Sequence, residues 1–124
     1  MSEVSLHGSC LCGAVSYVLT AEPARVSNCH CRMCQKQHGA PFGTYLSVRE
    51  GEIEYLSGEE ELTVYNSSST ILRKFCRHCG SNMEWSGSPE FPEWISLPLT
   101  TLDSQYTPKR VLDDFAEFKC AWLE

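Results

Sequence analysis

The sequence predicts a mainly β fold built from folded, mostly antiparallel sheets. Short runs rich in β-branched and aromatic residues recur along the chain, as they do in strands. Clusters of Gly, Pro, Asn and Ser separate these runs and mark turns. Seven of the eight cysteines lie in three tight groups, a spacing typical of metal ligands. We therefore expect a small sheet protein organised around metal sites.

Seven runs have the length and composition of strands. In chain order they are residues 14–20, 41–48, 52–56, 62–66, 70–75, 82–86 and 93–99. One segment favours a helix: the chain after Cys31 predicts one or two turns that end at Gly39, because glycine commonly ends a helix. No internal repeat or long linker divides the chain, so residues 1–124 are predicted to form one domain.

Composition and charge disfavour several classes of protein. The chain has 124 residues, of which 42% are hydrophobic and 21% are charged, as in an ordinary globular domain. Its net charge of −6 and its pI near 5.2 disfavour nucleic acid as a partner, because phosphate binding needs a basic surface. The start, MSEVSLHGSC, does not resemble a secretory signal, and no run reaches the roughly 20 apolar residues of a membrane span. We expect a cytoplasmic protein with no membrane partner, and a homo-oligomer stays open.

The cysteine spacing favours metal ligation over disulfides. The groups are a CxC at residues 10 and 12, a CxCxxC at residues 29, 31 and 34, and a CxxC at residues 76 and 79. Disulfide scaffolds usually spread their cysteines, whereas tight groups in a chain without a secretory signal indicate metal or redox chemistry. Cys120 stands apart. If its segment is a strand, Phe118 and Trp122 share its face, and we expect a buried free thiol there that is not a ligand.

Two of the groups can form one closed site. A CxC and a distant CxxC each supply half of a four-cysteine zinc site, here Cys10, Cys12, Cys76 and Cys79. A metal at this site would close a loop of more than sixty residues, and its binding would offset the entropy lost in that closure. The sequence therefore predicts a structural role for this site.

The third group, Cys29, Cys31 and Cys34, is left with three thiols and no evident fourth ligand. A catalytic zinc site typically has three protein ligands and an open position. Three other residues could still close the site: His30, His38 and Cys120. Both possibilities stay open at the level of spacing.

Four stretches carry a resemblance to a known family. They are GSCLCGAVSY near the start, CHCRMCQKQHGAPFG further on, FCRHCGSNM past the middle and FKCAWL near the end. Together they resemble the family of glutathione-dependent formaldehyde-activating enzymes, which includes the centromere protein V domain. The resemblance runs nearly end to end and implies a single domain with a folded sheet of the β-tent type.

The resemblance also implies an activity and its cofactors. It implies a carbon–sulfur lyase similar to S-(hydroxymethyl)glutathione synthase, which reversibly adds glutathione or a related thiol to an aldehyde such as formaldehyde. It implies two zinc ions per chain, a structural one at the four-cysteine site and a catalytic one at Cys29, Cys31 and Cys34. Such a zinc suits thiol chemistry, because thiolate ligands select soft partners and a bound thiol loses its proton.

Histidines and cations flank the two cysteine-rich loops. If its segment is extended, His30 points away from a metal bound by its neighbours. His38 is either a proton shuttle or an exposed turn residue, and His78 is expected to face solvent. Three basic residues could meet glutathione carboxylates or offset thiolate charge: Arg32, Lys36 and Arg77.

Two other functions remain open. The chain could be a zinc-stabilised binding module of the same family without catalysis. It could also be a thiol redox protein that uses CRMC or CRHC, although this motif usually occurs with a βαβ unit that the sequence lacks. Only the enzyme would consume thiol and aldehyde faster than the uncatalysed reaction.

Overall fold

Strands dominate the computed structural model, which describes residues 4–123. Within that range there are ten strands: β1 (Leu6–Ser9), β2 (Ser16–Leu19), β3 (Arg25–Cys29), β4 (Gly43–Arg49), β5 (Ile53–Ser57), β6 (Leu62–Asn66), β7 (Leu72–Cys76), β8 (Asn82–Ser86), β9 (Trp94–Pro98) and β10 (Leu112–Asp114). Helix α1 spans Arg32–His38. Short 3₁₀ turns span Glu50–Glu52, Glu59–Glu61, Leu99–Thr101 and Ala116–Phe118. The predicted mainly β fold is confirmed.

The described strands form two sheets. One has three strands in the order β1-β2-β5, and the other has seven in the order β10-β3-β4-β9-β8-β7-β6. Neighbouring strands are antiparallel except β10, which pairs in parallel with β3. Strands β3 and β7 each end in a cysteine, and both belong to the larger sheet.

All seven predicted strands are present, with bounds shifted by a few residues. Three strands lie outside the prediction: β1, β3 and β10. Their sequences, LHGS, RVSNC and LDD, have little apolar content and give no clear alternation. They are extended because neighbouring strands pair with them, which is a tertiary effect that local composition does not carry.

Side chains of both sheets share one core. Leu19 of β2 and Leu46 and Leu97 of the larger sheet are fully buried, and each buried leucine contributes about 1.5–3 kcal/mol. The ring of Tyr17 packs across Gly8, its partner in the β1–β2 register. A Cβ at Gly8 would lie 2.3 Å from that ring, so only glycine allows this packing.

Helix α1 is confirmed, with the predicted length and end. Cys31 is its N-cap, and the Cys31 sulfur accepts a hydrogen bond from the Cys34 backbone N–H at 3.4 Å. Gly39 is the C-cap with φ of 60°, and its N–H bonds to the Gln35 carbonyl. The CxxC spacing therefore places one thiol at the start of the helix and the next in its first turn. No helix among residues 4–123 is long and apolar enough to cross a membrane.

The carboxyl-terminal segment differs from its prediction. Around Cys120 the chain forms a 3₁₀ turn and further turns in place of a strand, so the expected sharing of a face with Phe118 and Trp122 is wrong. Trp122 is 72% exposed, and Cys120 is half-buried. This segment continues from β10, whose parallel pairing with β3 brings it beside the CxCxxC loop.

Candidate metal centres

The first cysteine group joins two distant loops. The Sγ atoms of Cys10, Cys12, Cys76 and Cys79 all lie within 4.8 Å of one another. The Sγ distances are 3.7 Å from Cys10 to Cys12 and 3.8 Å from Cys12 to Cys76. A tetrahedron with zinc–sulfur bonds of about 2.3 Å has edges of about 3.8 Å, so the four sulfurs fit one zinc ion.

Ser81 links the two loops that carry these four cysteines. Its Oγ accepts a hydrogen bond from the Leu11 backbone N–H at 2.9 Å, and it lies 3.3 Å from the Cys79 sulfur. The hydrogen bond between Cys79 and Ser81 is the main cause that lowers the pKa of Cys79 to about 5. The group therefore favours a thiolate even before a metal binds.

The second group is local, and we call it the triad. Its sulfurs, from Cys29 at the end of β3 and from Cys31 and Cys34 at the start of α1, also lie within 4.8 Å of one another. Cys29 and Cys31 are 3.5 Å apart and half-buried, while Cys34 is 3% exposed. Three soft donors this close suit a thiolate-bound metal such as zinc.

None of the three candidates for a fourth ligand joins the triad. No histidine, carboxylate or further cysteine among residues 4–123 comes within 4.8 Å of all three sulfurs. His30 is 1% exposed, and its Nε2 lies 2.8 Å from Asp113 Oδ1. Cys120 lies 3.6 Å from the Gln35 amide nitrogen. The triad therefore has no fourth histidine, cysteine or carboxylate ligand among the described residues, and His30 neither faces solvent nor joins the three sulfurs.

A chain of hydrogen bonds starts at the triad. Arg73 determines which atom donates and which accepts at each step. The Arg73 Nη1 donates to the Cys34 sulfur at 3.7 Å and to Gln37 Oε1 at 2.6 Å. Because a guanidinium only donates, Gln37 must present its oxygen to Arg73. Its amide nitrogen then donates to Asn82 Oδ1 at 3.0 Å, which leaves the Asn82 nitrogen as a donor.

The same chain fixes the tautomer of His38 and returns to the triad. The Asn82 nitrogen lies 3.2 Å from His38 Nδ1, so Nδ1 accepts and Nε2 carries the ring proton. Nε2 lies 2.6 Å from the Tyr45 hydroxyl, which interacts in turn with Cys34. His38 is therefore a half-buried residue of a closed polar ring and not an exposed turn residue.

Electrostatics favour negative charge on the triad. The hydrogen bond from Cys29 is the largest cause that lowers the pKa of Cys34 to about 5, burial opposes it, and Arg73 adds to the lowering. The pKa of Cys29 is raised, first by its hydrogen bond with Cys34 and then by burial. Burial lowers the pKa of His38, which keeps the ring neutral. Of Cys29 and Cys34, Cys34 is therefore the thiol that favours the negative charge.

One cavity borders the four-cysteine group and the polar ring. It has a volume of about 500 Å³ and is lined by Cys10 and Ser81 and by His38 and Asn82, whereas no cysteine of the triad lines it. Its remaining lining is mostly polar: Ser9, Leu11, Pro98, Thr100, Thr101 and Asp103. A small polar molecule in this cavity would contact His38 without displacing the ring.

The flanking residues of the sequence analysis lie elsewhere. Arg77 pairs with Glu61 at 2.8 Å, and the exposed His78 lies 3.3 Å from the same carboxylate. Arg32 donates to Gln35 at 2.6 Å, and neither these cations nor Lys36 line the cavity. The sequence analysis missed Arg73, Gln37, Tyr45 and Asn82. The sequence gives little indication of these residues. Only Arg73 is unusual, because it takes an inward position of a strand, where a charged residue is rare.

The fold and the two sulfur groups define a mainly β protein with two candidate metal centres. Residues 5–118 match the family model described as glutathione-dependent formaldehyde-activating enzyme. The chain belongs to this family.

Relatives support the membership. A protein of Halomonas elongata that carries the family's name is 32% identical over 96% of this chain and 80% of its own length. An uncharacterized lyase of Schizosaccharomyces pombe is 32% identical over 62% of this chain and 54% of its own length. A crystal structure of a Rhodobacter sphaeroides protein covers 86% of this chain and 98% of that chain, with a TM-score of 0.70 and 24% identity. The last likeness concerns the fold alone.

Proposed function

We propose that this protein is a zinc-dependent carbon–sulfur lyase that reversibly adds a thiol, glutathione or a relative, to an aldehyde such as formaldehyde. The observation that carries the proposal is the triad, which presents three converging sulfurs with no fourth cysteine, histidine or carboxylate ligand among residues 4–123. The names of the family and of its relatives point to the same chemistry. A closed four-sulfur group alone would fit a purely structural protein.

The two cysteine groups take different roles in this proposal. Cys10, Cys12, Cys76 and Cys79 would hold a structural zinc. Cys29, Cys31 and Cys34 would hold the second zinc, which supplies a soft position where a thiol is bound as its thiolate. Hydrolysis is a poorer match, because three thiolates weaken the metal as a Lewis acid.

The reaction also needs a proton to move. The sulfur–hydrogen bond of the thiol breaks, a carbon–sulfur bond forms, and the carbonyl oxygen gains a proton. We assign His38 to donate its Nε2 proton to the carbonyl oxygen, because the ring borders the cavity and is oriented from both nitrogens. Solvent takes the proton lost from the thiol and restores the one on Nε2. Asn82 and Tyr45 position the ring. We place this chemistry in the cytoplasm, since eight free cysteines suit a reducing compartment.

The test uses zinc-loaded protein with glutathione and ¹³C-formaldehyde. Because thiols and formaldehyde also react unaided, the observable is the rate of exchange between free and adduct carbon, measured by NMR magnetisation transfer. The proposal expects an exchange rate that rises with protein concentration and that Cys34→Ser removes. An exchange rate equal to the buffer value, with both zinc ions bound, would favour the non-catalytic binding module.

A further inference from the structure

Arg73 is a buried cation without a carboxylate partner. It is 5% exposed, and its guanidinium donates to Ser67 Oγ at 3.0 Å as well as to Gln37 and to the Cys34 sulfur. No carboxylate among residues 4–123 forms a salt bridge with it. The buried Glu84 on the neighbouring strand pairs with Lys74 at 3.1 Å and accepts from Tyr55 at 2.7 Å.

A buried guanidinium needs a counter-charge. It stays protonated at all relevant pH values, and an unpaired buried charge is costly. The triad is the group in contact with Arg73 that can carry negative charge, through Cys34. Arg73 is therefore suited to an anionic triad and not to three neutral thiols.

The charge of the loaded triad then determines which fourth ligand fits. Three thiolates and a divalent ion carry a net charge of about −1, which Arg73 brings to about zero. A thiolate as fourth ligand restores a charge of about −1, whereas without Arg73 the same ligand would create about −2 in a partly buried site. A neutral fourth ligand, such as water or imidazole, leaves the balance unchanged.

We propose that Arg73 is a specificity-determining residue that makes the triad take an anionic thiolate in preference to a neutral fourth ligand. The inference rests on the proposed function, since it needs a divalent metal at the triad. We assign Arg73 a role through its charge, because Cys34 and Gln37 take both hydrogen bonds of Nη1, the nitrogen that contacts the triad.

The experiment measures ligand binding to the cobalt(II)-loaded protein. Difference spectra follow the sulfur-to-cobalt charge-transfer band on addition of 2-mercaptoethanol, and the ligand-field bands on addition of imidazole. The four-cysteine group is already complete, so the differences report on the triad. 2-Mercaptoethanol has no carboxylate, which excludes a direct ion pair between Arg73 and the thiol.

Three variants separate charge from shape. Arg73→Met removes the charge and keeps a long side chain, Arg73→Lys keeps the charge, and Arg49→Met removes an exposed arginine that stacks on Trp94. Because Arg73 contacts the triad through Cys34, loss of its charge in Arg73→Met should weaken thiol binding at neutral pH roughly 10- to 100-fold, equivalent to about 1–2 units of thiol pKa. Imidazole affinity should stay unchanged, Arg73→Lys should restore most of the thiol affinity, and Arg49→Met should behave as the unmodified protein.

Equal losses for both ligands in Arg73→Met would mean that Arg73 shapes the site and does not set its charge, and would overturn the inference. Unchanged thiol affinity would overturn it as well. If Arg73→Met fails to fold, Arg73→Gln, which keeps a donor without a charge, is judged by the same two affinities. If the unmodified cobalt protein binds no thiol, the proposed function fails and this inference fails with it, and that result is distinct from a loss confined to the variants.

Discussion

Gly43 shows how one missing side chain shapes the site. A Cβ at this position would lie 2.7 Å from His38 Cδ2 and Nε2 and 2.9 Å from Tyr45 Cε2. Real Cβ atoms do not approach so closely, so any other residue would push the His38 ring away from Tyr45. Glycine is needed here for space and not for an unusual backbone angle.

Gly43→Ala should therefore lower both the turnover rate and the free energy of unfolding. The added methyl group overpacks the site at a cost of about 1–3 kcal/mol, and the displaced ring loses its bond to Tyr45. Exchange measurements with glutathione and formaldehyde should show most of the activity gone, while circular dichroism shows a folded sheet. Gly51→Ala is the matched control, because nothing lies within 4 Å of a Cβ at Gly51. Full activity in Gly43→Ala would remove His38 from the proposed chemistry.

At the scale of elements, β10 is a short strand that determines where the triad loop lies. It pairs in parallel with β3, and the His30 backbone N–H donates to the Asp114 carbonyl at 2.9 Å. Arg25 on β3 donates to the Asp114 carboxylate at 2.7 Å, and this hydrogen bond is the main cause that lowers the pKa of Asp114. This ion pair helps to hold β10 against β3, because a strand of three residues makes few apolar contacts.

The pH dependence of this pairing can be measured. A carboxylate whose native pKa is lowered stabilises the fold above its unfolded value of 3.8, and this stability is lost as the pH falls through the lower native value. Asp114→Asn should lower the free energy of unfolding at neutral pH by about 1 kcal/mol, because the ion pair is partly exposed. Denaturation at matched metal content should show this difference shrinking below pH 3.8. A difference that does not depend on pH would mean that the amide disturbs packing and not charge.

For the whole molecule, the two cysteine groups restrain very different lengths of chain. The triad connects six consecutive positions, whereas the four-cysteine group connects loops more than sixty residues apart. Closing the longer loop costs more chain entropy, which metal binding offsets. We therefore expect the four-cysteine group to support the fold and the triad to support the chemistry.

A chelator titration should separate the two ions. At equilibrium, a competing chelator should remove the triad zinc first, because a three-ligand site binds less tightly than a closed one. The far-ultraviolet circular dichroism should stay unchanged through this first loss and change with the second. The criterion is the equilibrium order and not the rate, since Cys12 is exposed and Cys34 is buried. Unfolding that accompanies the first zinc lost would reverse the assignment of the two groups.

The sequence predicts the fold and the sulfur groups better than it predicts their surroundings. Alternating runs such as residues 62–66 and 82–86 match β6 and β8, and cysteine spacing predicts both groups, because each pattern is local. The polar ring joins Gln37 to Asn82 across 45 positions, and only the register of the folded sheet brings them together. In the sequence, Arg73 is likewise an ordinary strand residue. Only the structure shows that its side chain is buried against Cys34.

The melting temperatures of Cys34→Ser and Cys76→Ser, compared in buffer with the same excess of zinc, show whether the two groups have the same role or different roles. Cys76→Ser removes a ligand from the long-range group and should lower the melting temperature by more than about 10 °C, since loss of a structural metal is among the largest single-residue effects. Cys34→Ser removes a ligand from the local group and should melt within about 5 °C of the unmodified protein. If the two variants melt alike, the triad is structural, and the division between fold and chemistry is wrong.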